Sequence, residues 1–160
     1  MLNREGQNAL VIGYGNPGRL DDGLGPAFAE RVQALGLPGI TAEADYQLNV
    51  EDAAEVARHA LVLFADASRN GAAPFEITRL EARYAGPGFS SHSISAENLL
   101  GLAASLFKVS PRAYMLAIRG YAFDAFGEGL SPQALANLDA AVGYAANMLR
   151  GDHAAWNGCG

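Results

Sequence analysis

Three carboxylates and one imidazole, distributed over three segments, are the side chains of this sequence best suited to chemistry. Asp21 and Asp22 lie in a glycine-rich loop, Asp66 ends an apolar run, and His92 precedes a predicted helix. Oxygen and imidazole donors suit nickel, zinc, iron or manganese, and a small ligand set leaves open positions for substrate. Plainer explanations exist: the loop aspartates could cap a helix, Asp66 could accept amides in a turn, and His92 could be a surface histidine. The residue types alone leave both interpretations open.

The glycine-rich loop also suggests nucleotide binding. Gly13, Gly15 and Gly18 have the spacing of a dinucleotide fingerprint, directly after an apolar run. The next predicted helix does not begin at the third glycine, however, and Asp21 and Asp22 would repel a pyrophosphate. A nucleotide-binding module therefore stays an alternative that we do not favour.

Residues 15–18, Gly-Asn-Pro-Gly, are in addition similar to the loop of peptidyl-tRNA hydrolases, where an Arg-His-Asn segment holding the catalytic histidine follows. Here residues 19–23 read Arg-Leu-Asp-Asp-Gly, and no histidine occurs before His59. The formal net charge of −6 also disfavours a tRNA partner. An RNA-linked hydrolase is thus a second, weaker alternative.

Alternating strand and helix patterns position these residues. Strands are predicted over residues 9–13, 40–46, 61–65 and 113–118, with an edge strand within 75–83, and helices over 26–35, 49–59, 96–108 and 131–150. Asn49 is the expected cap of the second helix. The pattern predicts a three-layer α/β sandwich, with a mostly parallel twisted sheet of about five strands and helices on both faces. Ligands of such sheets bind beyond the carboxyl ends of the strands, where the loop after Gly13 and Asp66 both lie.

Composition indicates one globular domain. The 160 residues are 50% hydrophobic and 18% charged, which predicts a single domain over residues 1–150 and a flexible tail over 151–160. The acidic balance argues against a nucleic-acid partner. The one cysteine, Cys159, cannot form an internal disulfide, and we expect no catalytic role for it in the tail. Without a long apolar segment, we expect a cytoplasmic protein that does not insert into membranes.

The complete loop resembles that of nickel–iron hydrogenase maturation proteases. It reads Gly-Tyr-Gly-Asn over residues 13–16 and Asp-Asp-Gly-Leu-Gly over residues 21–25. Shorter segments follow in the order expected for that family: Tyr-Gln-Leu-Asn-Val-Glu at 46–51, Phe-Ala-Asp-Ala at 64–67, Ser-His-Ser at 91–93 and Gly-Leu-Ser-Pro at 129–132. The matches span about residues 9–147.

This resemblance implies a phosphorylase/hydrolase-like fold and a cytoplasmic, monomeric endopeptidase. Such an enzyme removes the C-terminal extension of a hydrogenase large-subunit precursor after nickel insertion, with the nickel supplied by the substrate and no nucleotide cofactor. Carried over by position, the metal and catalytic residues are Asp22, Asp66 and His92. Asp21 would orient the loop or bind substrate. The remaining loop-shaping positions are Gly13, Gly15, Asn16, Gly23 and Gly25. Whether nickel polarises the scissile bond or the two aspartates act as an acid–base pair stays open.

One segment departs from the family's pattern. Residues 119–124 read Arg-Gly-Tyr-Ala-Phe-Asp, where many members have glycine, then an acid or glutamine, then proline. The hydrogenase group that is served therefore stays open. For Tyr121, Phe123 and Phe126 we favour core packing over the alternative of a wall for the substrate tail.

Overall fold

A five-stranded, mostly parallel sheet forms the centre of the fold. The computed structural model describes residues 8–84 and 94–151. The strands are β1 (Ala9–Tyr14), β2 (Ile40–Asp45), β3 (Leu61–Ser68), β4 (Phe75–Arg79) and β5 (Arg112–Arg119). Their order across the sheet is β2-β1-β3-β5-β4, and only the edge strand β4 runs antiparallel to its neighbour. This confirms the predicted fold class.

Within residues 8–84 and 94–151, four α-helices cover the two faces of the sheet. They are α1 (Leu24–Ala34), α2 (Asp52–Val56), α3 (Ala96–Phe107) and α4 (Pro132–Arg150). One face packs against α1 and α4, and the other packs against α2 and α3. Ser95 and Ser131 cap α3 and α4 through side chains that accept amide hydrogen bonds from the first turn. The helices thus complete the predicted three layers.

The apolar runs of the sequence become central strands because both of their faces are buried. In β1, Val11 faces the α1–α4 layer while Leu10 and Ile12 face the α2–α3 layer, and all three are almost fully buried. In β1 and β3, polar side chains appear only toward the carboxyl end. That edge is where the candidate site lies.

Two predicted elements differ from the structure. β3 continues to Ser68, so Asp66 lies inside the strand, opposite Ala117 of β5 and one residue past the last pair between β1 and β3. The second helix is only five residues long, and Asn49 is not its cap. Instead, the backbone N–H of Asn49 donates to the Asp52 carboxylate at 2.9 Å, forming a turn before the helix.

Some sequence predictions lie beyond the described residues. His92 and the tail after Gly151 are outside them, so the predicted flexibility of residues 151–160 stays a prediction. Among the helices in residues 8–84 and 94–151, none combines the length and apolar character needed to cross a bilayer.

Candidate active site at the carboxyl edge of the sheet

The loop between β1 and α1 is closed by its own hydrogen bonds. The backbone N–H of Asn16 donates to Asp22 Oδ2 at 2.8 Å, and the backbone N–H of Gly18 donates to the side-chain Oδ1 of Asn16 at 2.8 Å. The other N–H groups of residues 15–22 donate to the carbonyls of Asp45, Asn16, Gly127, Ala122 and Arg19. Because each of these N–H groups already has a protein acceptor, none is left to cradle a phosphate. The helix α1 also begins at Leu24 rather than at Gly18, which weakens the nucleotide-binding alternative further.

Glycine is required where β1 and α1 touch. A Cβ atom at Gly13 would overlap the carbonyl of Gly25, and one at Gly25 would overlap the carbonyls of Tyr14 and Ala65. At Gly15 the backbone adopts a φ of 146°, and a side chain there would meet the carbonyl of Asp22. The loop-shaping role predicted for these glycines therefore has a structural basis in close backbone approach.

Asp22 is held by a short 3-10 turn, Leu20–Gly23, that precedes α1. Its carboxylate is partly buried and accepts the Asn16 amide. Leu20, which begins the turn, has a left-handed φ of 56°, an unusual conformation for a bulky residue. The Leu20 amide donates to Gly127 at 2.9 Å, so a neighbouring segment helps to hold this conformation.

Asp66 is the most perturbed carboxylate of the site. Burial raises its pKa to about 6 from an ordinary 3.8, and the nearby Asp22 charge adds to the rise, although a hydrogen bond from the Ala67 amide opposes it. A carboxyl with this pKa exchanges a proton close to neutral pH. The charge of Asp22 thus acts on Asp66, which places the two carboxylates near each other at this edge of the sheet.

Tyr14 is a member of this group that sequence reasoning did not single out. Burial, followed by the charges of Asp66 and Glu97, raises the pKa of Tyr14 well above its usual range. Its protonated hydroxyl lies 3.9 Å from Met115 Sδ. Glu97 belongs to the first turn of α3, so the edge of the sheet gathers negative charge from three segments. The available sequence signal was the position of Tyr14 between the two glycines of the loop.

Asp21 connects the loop to the opposite side of the site. Its carboxylate is fully buried and accepts hydrogen bonds from the Tyr121 and Ala122 amides and from the Ser131 amide and hydroxyl, at 2.7–2.9 Å. Burial alone would raise the pKa of Asp21, but these four bonds hold it below its ordinary value. Neither loop aspartate caps α1, whose N-cap is Gly23. Of the two predicted roles for Asp21, this geometry supports orienting the loop.

The third predicted ligand, His92, lies outside the described residues. Within residues 8–84 and 94–151, no group of three histidine, cysteine, aspartate or glutamate side chains is arranged to hold a metal ion. Asp22 and Asp66 supply two oxygen donors, so a complete set requires donors from elsewhere. The three-residue site therefore stays a prediction.

The expectation of core packing is only partly correct for the aromatic residues after β5. Phe123 is buried, at 6% exposure, but Tyr121 is 44% exposed and Phe126 is 85% exposed. The reason lies in the backbone, because hydrogen bonds to the β1–α1 loop turn residues 120–127 along the surface instead of into a layer. Core packing is wrong for Tyr121 and Phe126.

Comparison with known proteins supports the fold assignment. No family model and no curated protein matches the chain. Among solved structures, the [NiFe] hydrogenase maturation protease HycI from Thermococcus kodakarensis KOD1 is similar, with 19% identity, a TM-score of 0.70 and coverage of 91% of this chain and 94% of that one. A hydrogenase 2 maturation peptidase from Thaumarchaeota archaeon SCGC_AB-539-E09 has 23% identity, a TM-score of 0.66 and coverage of 89% and 97%.

A third similar structure is the hydrogenase maturating endopeptidase HybD from E. coli, with 20% identity, a TM-score of 0.61 and coverage of 89% of this chain and 92% of that one. The similarity extends over nearly the whole length of each protein, so it concerns the complete domain. At these identities the likeness shows the fold alone. The chain has the α/β fold of solved hydrogenase maturation proteases.

Proposed function

We propose that this chain is an endopeptidase of the hydrogenase maturation protease family. It removes the C-terminal extension of a nickel–iron hydrogenase large-subunit precursor, and it recognises the nickel that the precursor already carries. The observation that carries the proposal is the pairing of Asp22 and Asp66 at the carboxyl edge of a sheet with this fold. The glycine-rich loop, whose motif resembles that of the family, is the element that positions Asp22.

Two carboxylates at one edge favour a cationic centre in the substrate. Asp66 is partly buried beside Asp22, and burial, with the Asp22 charge adding to it, raises the pKa of Asp66 to about 6, so a positive charge at this edge would stabilise the ionised form. A divalent cation brought by the precursor would supply that charge, and both carboxylates would then bind it as ionised ligands. His92 is proposed as a further contact, with the remaining positions left to substrate and water.

The same arrangement offers a route for the hydrolytic step. As the alternative to binding the nickel, an ionised Asp66 can accept a proton from the attacking water, and its pKa of about 6 in the metal-free protein suits that role near neutral pH. The Tyr14 hydroxyl stays protonated beside it and can donate a hydrogen bond. Whether nickel is recognised only or also polarises the scissile carbonyl is a separate question, which substitution of Asp66 addresses.

Cleavage of a nickel-loaded large-subunit precursor by a set of variants tests the site. Asp22→Asn and His92→Ala should lower kcat/KM by at least about 100-fold, because each removes a contact to the metal centre. Asp66→Asn should do the same and should also abolish the pH dependence near 6. The precursor's mass, measured before and after incubation, reports loss of the extension.

Asp139→Asn is the matched control for these substitutions. Asp139 lies on α4 and forms only an exposed ion pair with Arg31, at 2.9 Å. Its loss should leave cleavage unchanged. If Asp22→Asn and Asp66→Asn cleave as fast as this control, the site is assigned to the wrong residues. If wild type leaves the loaded precursor intact, the endopeptidase assignment itself fails.

A further inference from the structure

Three arginines form cation–π contacts with three aromatic rings beside the candidate site. Arg19 lies 5.3 Å from the ring centre of Phe126, Arg69 lies 4.4 Å from that of Phe123, and Arg119 lies 4.7 Å from that of Tyr121. We call these six residues the arginine–aromatic rim. Its arginines follow or end β1, β3 and β5, so the rim lies along the carboxyl edge of the sheet. This is a concentration of positive charge on a chain of net charge −6.

The three arginines have different freedom to bind a partner. Arg119 donates to the carbonyls of Gly71 at 2.8 Å and Gly120 at 3.1 Å, so it serves the structure. Arg69 forms a long, exposed ion pair with Asp124 at 3.7 Å. Within the described part of the chain, the Arg19 guanidinium has no carboxylate at ion-pair distance and contacts Phe126 instead. Arg19 is therefore the rim cation best placed to bind a carboxylate from outside.

Phe126 is presented to solvent on a fixed segment. It is 85% exposed, the highest value among the large hydrophobic residues of the described chain. The next residue, Gly127, donates to Gly18 at 2.8 Å and accepts from Leu20 at 2.9 Å, which ties the segment to the loop that holds Asp22. A rigid exposed aromatic with an arginine beside it is the composition found at the centres of protein interfaces.

Arg19 of the rim is close in the backbone to Asp22 of the candidate catalytic pair. The Asp22 amide donates to the Arg19 carbonyl at 3.1 Å, so the two residues belong to one turn of the backbone. The carboxylates of Asp22 and Asp66 attract the cationic centre of a substrate, whereas the rim attracts its anionic part. A C-terminal extension always ends in a carboxylate, whatever its sequence, and an arginine can bind such a group through two parallel hydrogen bonds.

We propose that the arginine–aromatic rim binds the segment that is cut off, with Arg19 holding a carboxylate and Phe126 an apolar side chain of that segment. This inference rests on the proposed endopeptidase function and adds a substrate specificity to it. The carboxylate belongs either to an acidic side chain of the extension or to its C-terminus. Because the contact is exposed and made before cleavage, it contributes to binding the uncleaved precursor and not to the chemical step.

The test is the cleavage kinetics of a nickel-loaded large-subunit precursor at low ionic strength. Arg19→Gln and Phe126→Ala should each raise KM about fivefold and leave kcat within about twofold. The effect of Arg19→Gln should shrink in high salt, because exposed charges are screened. Arg150→Gln is the matched control, because it removes the same exposed charge far from the site. Arg150 ends α4, about 28 Å along the helix from its N-cap Ser131, which contacts Asp21.

Two altered precursors identify the carboxylate. One has every acidic residue of the extension changed to its amide, and the other has ten neutral residues appended so that the terminal carboxylate is displaced. The precursor that lacks the bound carboxylate should show the same KM with wild type and with Arg19→Gln, as expected for two changes in one interaction. Arg19→Gln remaining equally harmful on both precursors would overturn the carboxylate contact.

The outcomes separate this inference from the function beneath it. If wild type cleaves the precursor and the KM values of Arg19→Gln and Phe126→Ala stay within twofold of wild type, the rim does not bind the extension and the endopeptidase proposal stands. The same holds if Arg150→Gln changes KM as much as Arg19→Gln does. If wild type does not cleave the loaded precursor, the proposed function and this inference fail together.

Discussion

Replacing Asp66 with asparagine should make the metal-free protein more stable at neutral pH. The Asp66 carboxyl has a pKa of about 6 in the folded chain against an ordinary 3.8, mainly because of burial. Its ionised form is therefore disfavoured by folding by about 3 kcal/mol, since a tenfold change in protonation corresponds to about 1.4 kcal/mol. Asparagine removes the charge and keeps an oxygen that can accept the Ala67 amide. We expect a gain of about 2–3 kcal/mol at pH 8.

The pH dependence fixes the sign of this effect. Between pH 3.8 and about 6 the folded chain holds a proton on Asp66 that the unfolded chain has released. Wild-type stability consequently falls as pH rises through this window, and the full loss is present above pH 6. Asp66→Asn lacks that loss, so the two stability curves should meet near pH 4 and separate toward pH 8.

Asp21→Asn is a control with the opposite expected sign. Asp21 accepts four hydrogen bonds while fully buried, and an amide in its place would direct its NH2 group at one or more of these donors. A buried unsatisfied donor costs about 1–3 kcal/mol, and the charge-assisted bonds weaken as well, so we expect a loss of about 2–4 kcal/mol. Because these bonds lower the pKa of Asp21, its contribution is present above pH 3.8 and lost as pH falls below it.

Urea unfolding of metal-free wild type and both variants, with a chelator present and from pH 4 to 8, measures these differences. At pH 8 we expect Asp66→Asn to be more stable than wild type and Asp21→Asn to be less stable than wild type. An Asp66→Asn protein less stable than wild type at pH 8 would refute the reasoning, because it would mean that the ionised carboxylate is satisfied in the folded chain.

Three further substitutions test other parts of the structure. Gly25→Ala should cost at least about 1–3 kcal/mol of stability, because its methyl group would overlap the Tyr14 carbonyl; thermal unfolding measures this. Ser131→Ala should cost about 1–3 kcal/mol in urea unfolding, since it removes both the cap of α4 and a donor to Asp21. Phe126→Ala should change stability by less than about 0.5 kcal/mol in the same assay, because the ring is 85% exposed.

The central strands and the mostly parallel sheet could be predicted from local sequence patterns, whereas the order of the strands was not predicted. The runs that become β1, β3 and β5 are apolar over consecutive positions, which indicates strands covered on both faces, and helical patterns separate them. The signal was weakest at element ends. β3 extends through Asp66 because β5 continues to pair with it after β1 has ended, and the sequence does not show where a neighbouring strand ends.

The partners of Asp21 could not be predicted, since they lie 100–110 residues away in sequence. The Ser131-Pro132 pair was recognised as the start of a helix, but its hydroxyl also donates to Asp21, and local patterns do not report such a contact. The exposure of Phe126 was missed for a similar reason. Its apolar side chain suggested burial, whereas hydrogen bonds to a distant loop set the path of its backbone.

The proposed function is tested most directly by comparing nickel-loaded and nickel-free forms of one large-subunit precursor. Each form is incubated with the wild-type protein, and mass spectrometry reports whether the C-terminal extension has been removed. We expect rapid loss of the extension from the loaded form and at least about 100-fold slower loss from the nickel-free form, because we propose that Asp22 and Asp66 bind the metal that the substrate brings. Equal cleavage of both forms would contradict nickel recognition, and cleavage of neither would contradict the endopeptidase function.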